Sequence, residues 1–552
     1  MGMIRTVLRC SLTIASILAL TNSAQARSTN VRYDIVIRGG QVIDGTGAPP
    51  IRADVAIKDG RLVRIGRVRD KGAREIDASG RYVSPGWIDM LDQSGRVLST
   101  DGSALNKLQM GVTTLLGGEA GTPVPAAQTD AWLSAFEAKG IAVNFGSYYG
   151  TTQARIEVMG DGAGTPSADQ MRAMEGRVAA AMEGGALGVA NALIYRPAAF
   201  QTTDELVALA KVAARYGGIY GSHVRDESAG LVTAVDEAIA IGERSGASVE
   251  IFHFKGAYQP GWGRLLPEAG AHVEAARSRG VDVWANIYPY IAGGTGLEAT
   301  LPTWVFRDGI AKVGEKLADP AIRDRLKREI AAGSLPGWAN LVEASGGWKG
   351  VILANSHSEE FRRFHGRSML DIANELGRDP TELSWEIMAK AQPHRAMALF
   401  FLTAEADIRT ALSYPWTTIG SDAAAAAGAG LVDALGLPHP RAYGTFPRIV
   451  AEYVKRSKLL TLPQAVHRMT GLSARRMKLA DRGLVRAGYW GDLTIFDLDR
   501  LDDRASWDQP TAIPTGIDYV LVNGELVLEH GKYTGATPGK VIRGAGYKAP
   551  AD

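Results

Sequence analysis

Helical patterns alternate with short apolar runs through the middle of this chain, at intervals of about thirty residues, and this repeat limits the folds it can adopt. ADQMRAMEGRVAAAMEGG leads into ALGVANALIY, TDELVALAKVAARYGG into IYGSHVRDE, LVTAVDEAIAIGERSG into ASVEIFHFK, and EAGAHVEAARSRG into VDVWANIYPY. Four consecutive βα units predict a parallel (β/α)8 TIM-like barrel of the α/β class. A doubly wound sheet is the alternative, and the lack of a glycine-rich phosphate fingerprint after an early strand weakens it.

The two ends of the chain show strand patterns. Residues 33–83 alternate apolar and polar positions around Gly-rich and Asp-Gly turns, and DLTIFDL with IDYVLVNGELVLEHGKYTG does the same near the C-terminus. We therefore expect one small β domain built from both ends. The predicted divisions are a signal peptide at 1–26, β-domain segments at 27–83 and 481–552, and a barrel at 84–480.

An insertion is predicted at about 291–350, where the repeat breaks. This stretch is rich in Gly, Pro and Trp, and it contains a short charged helical pattern near Asp319 to Ala331. Two interpretations stay open: a lid over the active site, or a surface excursion without function.

The first 26 residues have the pattern of an export signal. Arg5 and Arg9 precede the apolar run from Cys10 to Leu20, and Ala24-Gln25-Ala26 is a small-x-small cleavage site. The run is too short to span a bilayer. We expect cleavage after Ala26 and a periplasmic or secreted protein, with an uncleaved anchor as the alternative.

Cleavage would change what the chain can do. Cys10 is the only cysteine, so the mature chain would have no disulfide, thiol nucleophile or thiolate ligand. The formal charge of +2 includes two arginines and no acids in the removed segment, so the mature charge is 2 − 2 = 0. Nucleic acid is not an expected partner, nor is membrane insertion after cleavage.

The active site of a parallel barrel lies at the C-terminal ends of its strands, and several strands end there in chemically active residues. GVTTLLGGE ends at Glu119, IYGSH at His223 and VEIFH at His253. Two histidines on neighbouring strands and one carboxylate are a ligand set for catalytic zinc, which keeps a position open for water. Asp422, which ends PWTTIGSD, is a candidate general base for that water.

Each of these residues also has a structural interpretation. His223 and His253 could be hydrogen-bonded structural histidines, and Glu119 a solvated loop acid. Asp422 follows Ser421, and Ser-Asp commonly caps a helix.

The sequence resembles the N-acyl-D-amino-acid deacylases (D-aminoacylases) of the amidohydrolase superfamily over about residues 33 to 545. The resemblance is carried by DIVIRGGQVIDGTG, GVTT, GGIYGSHVRDE, VEIFHFK, YPY, IGSD, HPRAYGTFPR and DRGLVRAGYWGDLTIFD. GVTT alone is weak, whereas SHVRDE, HFK and HPRAYGTFPR in this order are specific.

The resemblance implies a β-sandwich plus a metal-bearing barrel that hydrolyses the amide of N-acyl-D-amino acids. His223 and His253 then match the tight zinc ligands and Asp422 the catalytic base. Lys255, Tyr195 and Tyr288 match positions that hold the substrate carboxylate and the reacting carbonyl. The alternatives are a structural ion pair for Lys255, perhaps with Glu227, and packing at the barrel rim for both tyrosines.

The departures from the family pattern concern metal ligands. Two histidines that follow the first barrel strand in the family fall here on Leu91 and Gln93, so the second, weaker metal site is expected to be absent. The usual cysteine ligand falls near Ala120, and Glu119, one residue earlier, is the candidate third ligand. We therefore predict one Zn²⁺.

The resulting prediction is an exported zinc-dependent amidohydrolase with a small-molecule N-acyl amino acid as its substrate. Two alternatives remain open: hydrolysis of a different amide, such as a dipeptide, cyclic amide or other acylated amine, and a non-catalytic, decayed homologue. The oligomeric state is left open by the sequence.

Overall fold

The computed structural model describes residues 33–335, 337–426 and 437–549, so the predicted signal segment and Cys10 lie outside the described residues. The strands are β1 (Tyr33–Val42), β2 (Ile51–Lys58), β3 (Arg61–Gly66), β4 (Gly72–Asp77), β5 (Tyr82–Pro85), β6 (Trp87–Asp92), β7 (Val112–Gly117), β8 (Asn144–Ser147), β9 (Tyr149–Gly150), β10 (Gly188–Ala192), β11 (Ile219–His223), β12 (Ser248–Ile251), β13 (Val283–Ile287), β14 (Gly293–Gly296), β15 (Val351–Asn355), β16 (Met397–Phe400), β17 (Thr417–Ile419), β18 (Leu493–Phe496), β19 (Ile517–Val522), β20 (Glu525–Glu529) and β21 (Lys532–Tyr533).

The α-helices are α1 (Leu105–Gln109), α2 (Thr129–Lys139), α3 (Thr151–Met159), α4 (Ala168–Glu183), α5 (Thr203–Arg215), α6 (Leu231–Ser245), α7 (Leu265–Ser278), α8 (Val313–Ala318), α9 (Pro320–Ala332), α10 (Leu341–Ala344), α11 (Glu359–Arg362), α12 (Met369–Leu376), α13 (Pro380–Ala391), α14 (Glu405–Ser413), α15 (Arg441–Arg448), α16 (Leu462–Met469) and α17 (Gly471–Arg476). Within the described ranges, none of these helices combines the length and apolarity that crossing a bilayer requires.

A closed parallel barrel forms the centre of the molecule, which confirms the predicted fold. Strands β6, β7 and β8 pair in parallel, and β9, β10, β11, β12, β13 and β17 pair in parallel in that order. Tyr148 alone separates β8 from β9, so these two form one interrupted strand. A parallel bridge between Asp92 and Ala423 joins the last strand region to the first. The barrel therefore has eight strand positions.

The barrel helices begin and end at residues that satisfy their free backbone groups. Ser167 and Gln170 form a capping box at the start of α4, and Thr202 and Glu205 form another at the start of α5. Helix α6 ends at Gly246, whose φ of 73° lies in the left-handed region that glycine adopts without a steric penalty. These local signals explain why the repeat was visible in the sequence.

The predicted β domain from both chain ends is also confirmed. It is a nine-stranded sheet in which β5 pairs with β18 and β1 pairs with β2, β4 and β5. The pairing places Ser84 opposite Thr494. One face of this sheet packs as an apolar cluster that includes Ile37, Val55 and Leu521.

The inserted subdomain is longer than the predicted 291–350 segment. Its antiparallel sheet pairs β14 with β16 and β16 with β15, so the insertion continues to Phe400. Helices α8 to α13 surround this sheet around a separate apolar core. The charged helix expected near Asp319 to Ala331 is α9, which Asp319 caps through the backbone N–H of Ala321.

A fully buried lysine ties the first and last barrel strands together. Lys107 Nζ lies 2.8 Å from Asp89 Oδ2 and 2.9 Å from Asp92 Oδ1, and it donates to Ser421 Oγ at 2.8 Å and to the Ala423 carbonyl at 2.6 Å. Although burial favours the neutral amine, the two carboxylates raise the pKa of Lys107. This charge cluster closes the barrel on the side where the active site is expected.

We predict that Lys107→Met destabilises the protein by about 3–5 kcal/mol, because the substitution leaves two buried carboxylates without a cation. The measurement is the midpoint of urea unfolding. Lys139→Met is the matched control, because exposed Lys139 donates only to the Ser99 carbonyl. Equal midpoints for the two variants would contradict the structural role of Lys107.

Candidate active site

One cavity at the C-terminal ends of the barrel strands collects every residue predicted for the site. Its volume is about 1280 Å³, and its walls come from the barrel and from the inserted subdomain. The predicted residues that line it are Glu119, Tyr195, His223, His253, Lys255, Tyr288 and Asp422. The inserted subdomain thus contributes part of the cavity wall, and its role as a lid stays a prediction.

Glu119, His223 and His253 form a compact set of metal-ligating groups. Glu119 Oε1 lies 3.1 Å from His223 Nδ1 and 2.9 Å from His253 Nε2, and one ligand atom from each residue lies within 4.8 Å of the others. All three residues are buried. Two imidazole nitrogens and one carboxylate oxygen are donors that a divalent transition metal accepts.

Glu227 lies beside the same two histidines, next to the ring nitrogens that do not face Glu119. Its Oε1 lies 2.9 Å from His253 Nδ1, and its Oε2 lies 3.5 Å from His223 Nε2. Histidines that bind a metal through one ring nitrogen commonly direct the other toward a carboxylate, which fixes the tautomer. The arrangement of Glu227 therefore fits a metal held by His223 Nδ1, His253 Nε2 and Glu119.

The charge balance of the site also fits a cation. Glu227 is paired with Lys255 at 2.5 Å and Asp422 with Arg441 at 2.8 Å. Among the described residues, Glu119 has no Lys or Arg partner, and its polar contacts are with the two imidazoles and the amide of Gln93. Although burial favours the neutral acid, the two imidazoles hold the pKa of Glu119 well below its usual value. The anionic form of Glu119 is thus the stable one, and a metal cation would replace an imidazole proton beside it.

The backbone of His253 is held in an unusual conformation. Its φ is 36°, in the left-handed region that non-glycine residues seldom occupy. Its N–H donates to Asn286 Oδ1 at 2.9 Å, and Asn286 in turn donates to the buried carboxylate of Glu250. Arg476 neutralises Glu250 at 2.8 Å. This chain of contacts orients the His253 imidazole toward the cavity.

Asp422 is linked to the ligand set through Gln93, and three contacts fix its position. Gln93 Nε2 donates to Asp422 Oδ1 at 3.1 Å, Arg441 lies 2.8 Å from Oδ2, and the Asp422 N–H donates to the Leu91 carbonyl at 2.7 Å. Asp422 also has a left-handed φ, of 49°. These contacts hold the carboxylate in place, and no helix within the described ranges begins at Asp422.

The two positions expected to lack metal ligands have other roles here. Leu91 is buried in an apolar cluster with Leu116 and Phe252. Gln93 donates through one amide nitrogen to Glu119 Oε2 at 2.6 Å and to Asp422 Oδ1. The amide nitrogen of Gln93 thus bridges the carboxylates of Glu119 and Asp422.

Lys255 and the two tyrosines surround the histidines. Lys255 forms an ion pair with Glu227, as expected if its role is structural. Its Nζ also lies 3.0 Å from His253 Nδ1. The Tyr195 ring is 5.5 Å from the His223 ring, and its hydroxyl donates to Thr295 at 2.9 Å. Burial raises the pKa of the Tyr288 hydroxyl, which therefore stays protonated and able to donate.

Three residues of this site were not assigned a role from the sequence: Gln93 as a bridge, Glu227 as the support of both histidines, and Arg441 as the partner of Asp422. Arg441 lies in the HPRAYGTFPR motif and Glu227 in the SHVRDE motif. Both motifs carry the family resemblance, but a motif in one sequence does not show which atoms its individual residues contact.

Comparison with known proteins supports the same interpretation of the chain. A sequence model of the amidohydrolase family matches residues 373–528. The chain is 32% identical to N-acyl-D-glutamate deacylase of Alcaligenes xylosoxydans xylosoxydans over 93% of this chain and 97% of the relative. It is 30% identical to D-aminoacylase of the same organism, over 94% and 99% of the two chains.

Solved structures agree with these relatives. N-acyl-D-glutamate deacylase from Bordetella bronchiseptica, complexed with zinc and a phosphonate inhibitor, is 31% identical with a TM-score of 0.76, and the match covers 93% of this chain and 100% of that one. A D-aminoacylase structure, described by one-metal activation and second-metal attenuation of a binuclear centre, has 30% identity, a TM-score of 0.77 and coverages of 92% and 99%.

We predict that Glu119→Ala lowers the zinc retained by the protein, because two imidazoles alone hold a divalent ion weakly. The measurement is the ratio of zinc to protein after zinc loading and dialysis. Glu298→Ala is the control, since Glu298 lines the same cavity outside the ligand set. Unchanged zinc content in the Glu119 variant would show that Glu119 is not a ligand.

Proposed function

Because this chain belongs to the N-acyl-D-amino-acid deacylase family of amidohydrolases, we propose that it hydrolyses the amide bond of N-acyl-D-amino acids, releasing a carboxylate and a free D-amino acid. The observation that carries the proposal is the convergence of Glu119, His223, His253 and Asp422 on one cavity at the strand ends. Family members are metal-dependent hydrolases of amide bonds, and this site retains a complete set of metal-ligating groups.

We propose that Glu119, His223 and His253 hold one zinc ion. When bound there, zinc supplies a Lewis acid that polarises a carbonyl and lowers the pKa of water. The proposal of a single ion is supported by Leu91, which is buried in an apolar cluster and cannot bind a metal, and by Gln93, whose amide nitrogen donates to Glu119 and Asp422.

Asp422 is proposed as the general base. Its carboxylate lines the cavity, and Gln93 and Arg441 fix the position of both oxygens. The carboxylate takes a proton from the attacking water and then delivers it to the leaving nitrogen. Arg441 places a positive charge 2.8 Å from Asp422 Oδ2.

The tyrosines are proposed to hold the reacting carbonyl. The Tyr288 hydroxyl is buried and protonated, and Tyr195 lies against the His223 ring. A hydroxyl donor in a site that excludes water stabilises negative charge that develops on the carbonyl oxygen. Lys255 orients His253 and Glu227 and contributes positive charge beside them.

We also propose that the protein is exported before it acts. The support is the pattern of residues 1–26, which lies outside the described part of the chain. Within the described residues, the first strand, β1, begins at Tyr33, after this segment.

The function is tested with protein that begins at Arg27 and is loaded with zinc. Release of free amine is measured from matched D and L pairs of N-acetyl amino acids. We expect release from the D member of each pair. Equal release from the L members, or none from any pair, would contradict the proposal.

The role of Asp422 is tested by Asp422→Asn. We expect turnover to fall by roughly 10²–10⁴-fold, because the amide cannot accept the proton from water. Zinc content is expected to remain that of the unchanged protein, since Asp422 is outside the ligand set. Asp236→Asn, which alters a surface pair with His272, is the control. Full activity of the Asp422 variant would refute the mechanism.

A further inference from the structure

The cavity contains six arginines, and their ion pairs distinguish one of them. Five are paired with a carboxylate: Arg225 with Glu237, Arg323 with Glu382, Arg378 with Glu386, Arg395 with Glu298, and Arg441 with Asp422. Arg196 lines the same cavity, and no described carboxylate lies within ion-pair distance of it. Arg196 is therefore the one cavity arginine whose charge is not balanced within the described residues.

The surroundings of Arg196 make this imbalance costly. Its guanidinium donates to the carbonyls of Ile194 and, at 3.4 Å, Gly337, while its Nε is buried without a hydrogen-bond partner in the described structure. Burial and the nearby charge of Arg225 lower the pKa of Arg196 to about 10. A partly buried cation in such a place is stabilised by an anion that enters the cavity.

Lys255, the other cation expected to meet a substrate carboxylate, is less available. Its Nζ lies 2.5 Å from Glu227 Oε1 and 3.0 Å from His253 Nδ1. Its charge is balanced before any substrate arrives. Arg196 directly follows Tyr195, whose ring lies 5.5 Å from the His223 ring, and both residues line the cavity that contains the histidines.

We propose that Arg196 binds a carboxylate of the substrate and thereby determines which N-acyl amino acids the enzyme accepts. This inference rests on the proposed deacylase function. The planar guanidinium can bind a carboxylate through two parallel hydrogen bonds, one of which the buried Nε supplies. The carboxylate has two sources, the α-carboxylate of every N-acyl amino acid and the side-chain carboxylate of an acidic one.

The test measures binding and turnover for Arg196→Met. Dissociation constants are determined by calorimetry in the slow Asp422→Asn background with N-acetyl-D-leucine, N-acetyl-D-glutamate and N-acetyl-D-leucinamide. KM and kcat for the first two are measured in the otherwise unchanged enzyme. We expect carboxylate ligands to bind at least tenfold more weakly, KM to rise more than kcat falls, and leucinamide binding to stay within about threefold.

Comparison of the leucine and glutamate ligands distinguishes the two sources of the carboxylate. A loss for both the leucine and glutamate ligands assigns Arg196 to the α-carboxylate, and a loss for glutamate alone assigns it to the side chain. Arg196→Lys is expected to recover part of the loss, because it restores the charge without the planar fork.

Arg395→Met is the matched control, because Arg395 lines the cavity but is paired with Glu298. Equal effects of the Arg196 and Arg395 variants, equal weakening of all three ligands, or no binding of carboxylates to Arg196-containing protein would overturn the inference. Carboxylate binding that depends on Arg196 in a protein that hydrolyses none of these amides would instead reject the deacylase function and keep this subsite.

Discussion

The buried contact between Lys107 and the carboxylates of Asp89 and Asp92 is the interaction on which the site depends. It joins the first barrel strand to the loop after the last one, because Lys107 also holds Ser421 and the Ala423 carbonyl. Asp89 accepts hydrogen bonds from the same serine, through its N–H at 2.7 Å and its hydroxyl at 2.6 Å. The residue next to that serine, Asp422, carries the carboxylate that we propose as the general base. The same contacts therefore close the barrel and position the carboxylate of the proposed base.

Ion pairs also position the other carboxylates of the site. Glu227 and Asp422 each meet a fixed cation, while Glu119 is left to the imidazoles. A buried anion without a cation is unfavourable, and a site built around one selects for a positively charged ligand. Arg196, which lines the same cavity, is a cation without a described carboxylate partner, and an anion would balance it. A metal held by Glu119 and the histidines would polarise the carbonyl of an N-acyl amino acid, while Arg196 is proposed to bind a carboxylate of the same substrate.

Three features could be predicted because each has a local signal in the sequence: the barrel, the β domain built from both chain ends, and the placement of four side chains at strand ends. These side chains are those of Glu119, His223, His253 and Asp422. His223 and His253 end apolar runs one βα unit apart, and parallel strands bring such ends together. The extent of the insertion could not be predicted, since β14 pairs with β16, which lies far along the chain. The bridging role of Gln93 was also hidden. It depends on how closely the loops after the first, second and last barrel strands approach, and no periodicity in one sequence reports that distance.

The shared β sheet has a consequence for how the protein is made. Strand β5 acquires its partner β18 only when residues near Thr494 have been synthesised, long after Ser84. Until then one edge of the N-terminal strands has unpaired backbone groups, which is the condition for edge-to-edge aggregation. Pairing between distant segments is also slow, because loop closure precedes the gain from contact. The part of the chain from Leu493 onward thus completes the β sheet, and a chain that ends before it would be released with the edge of β5 unpaired.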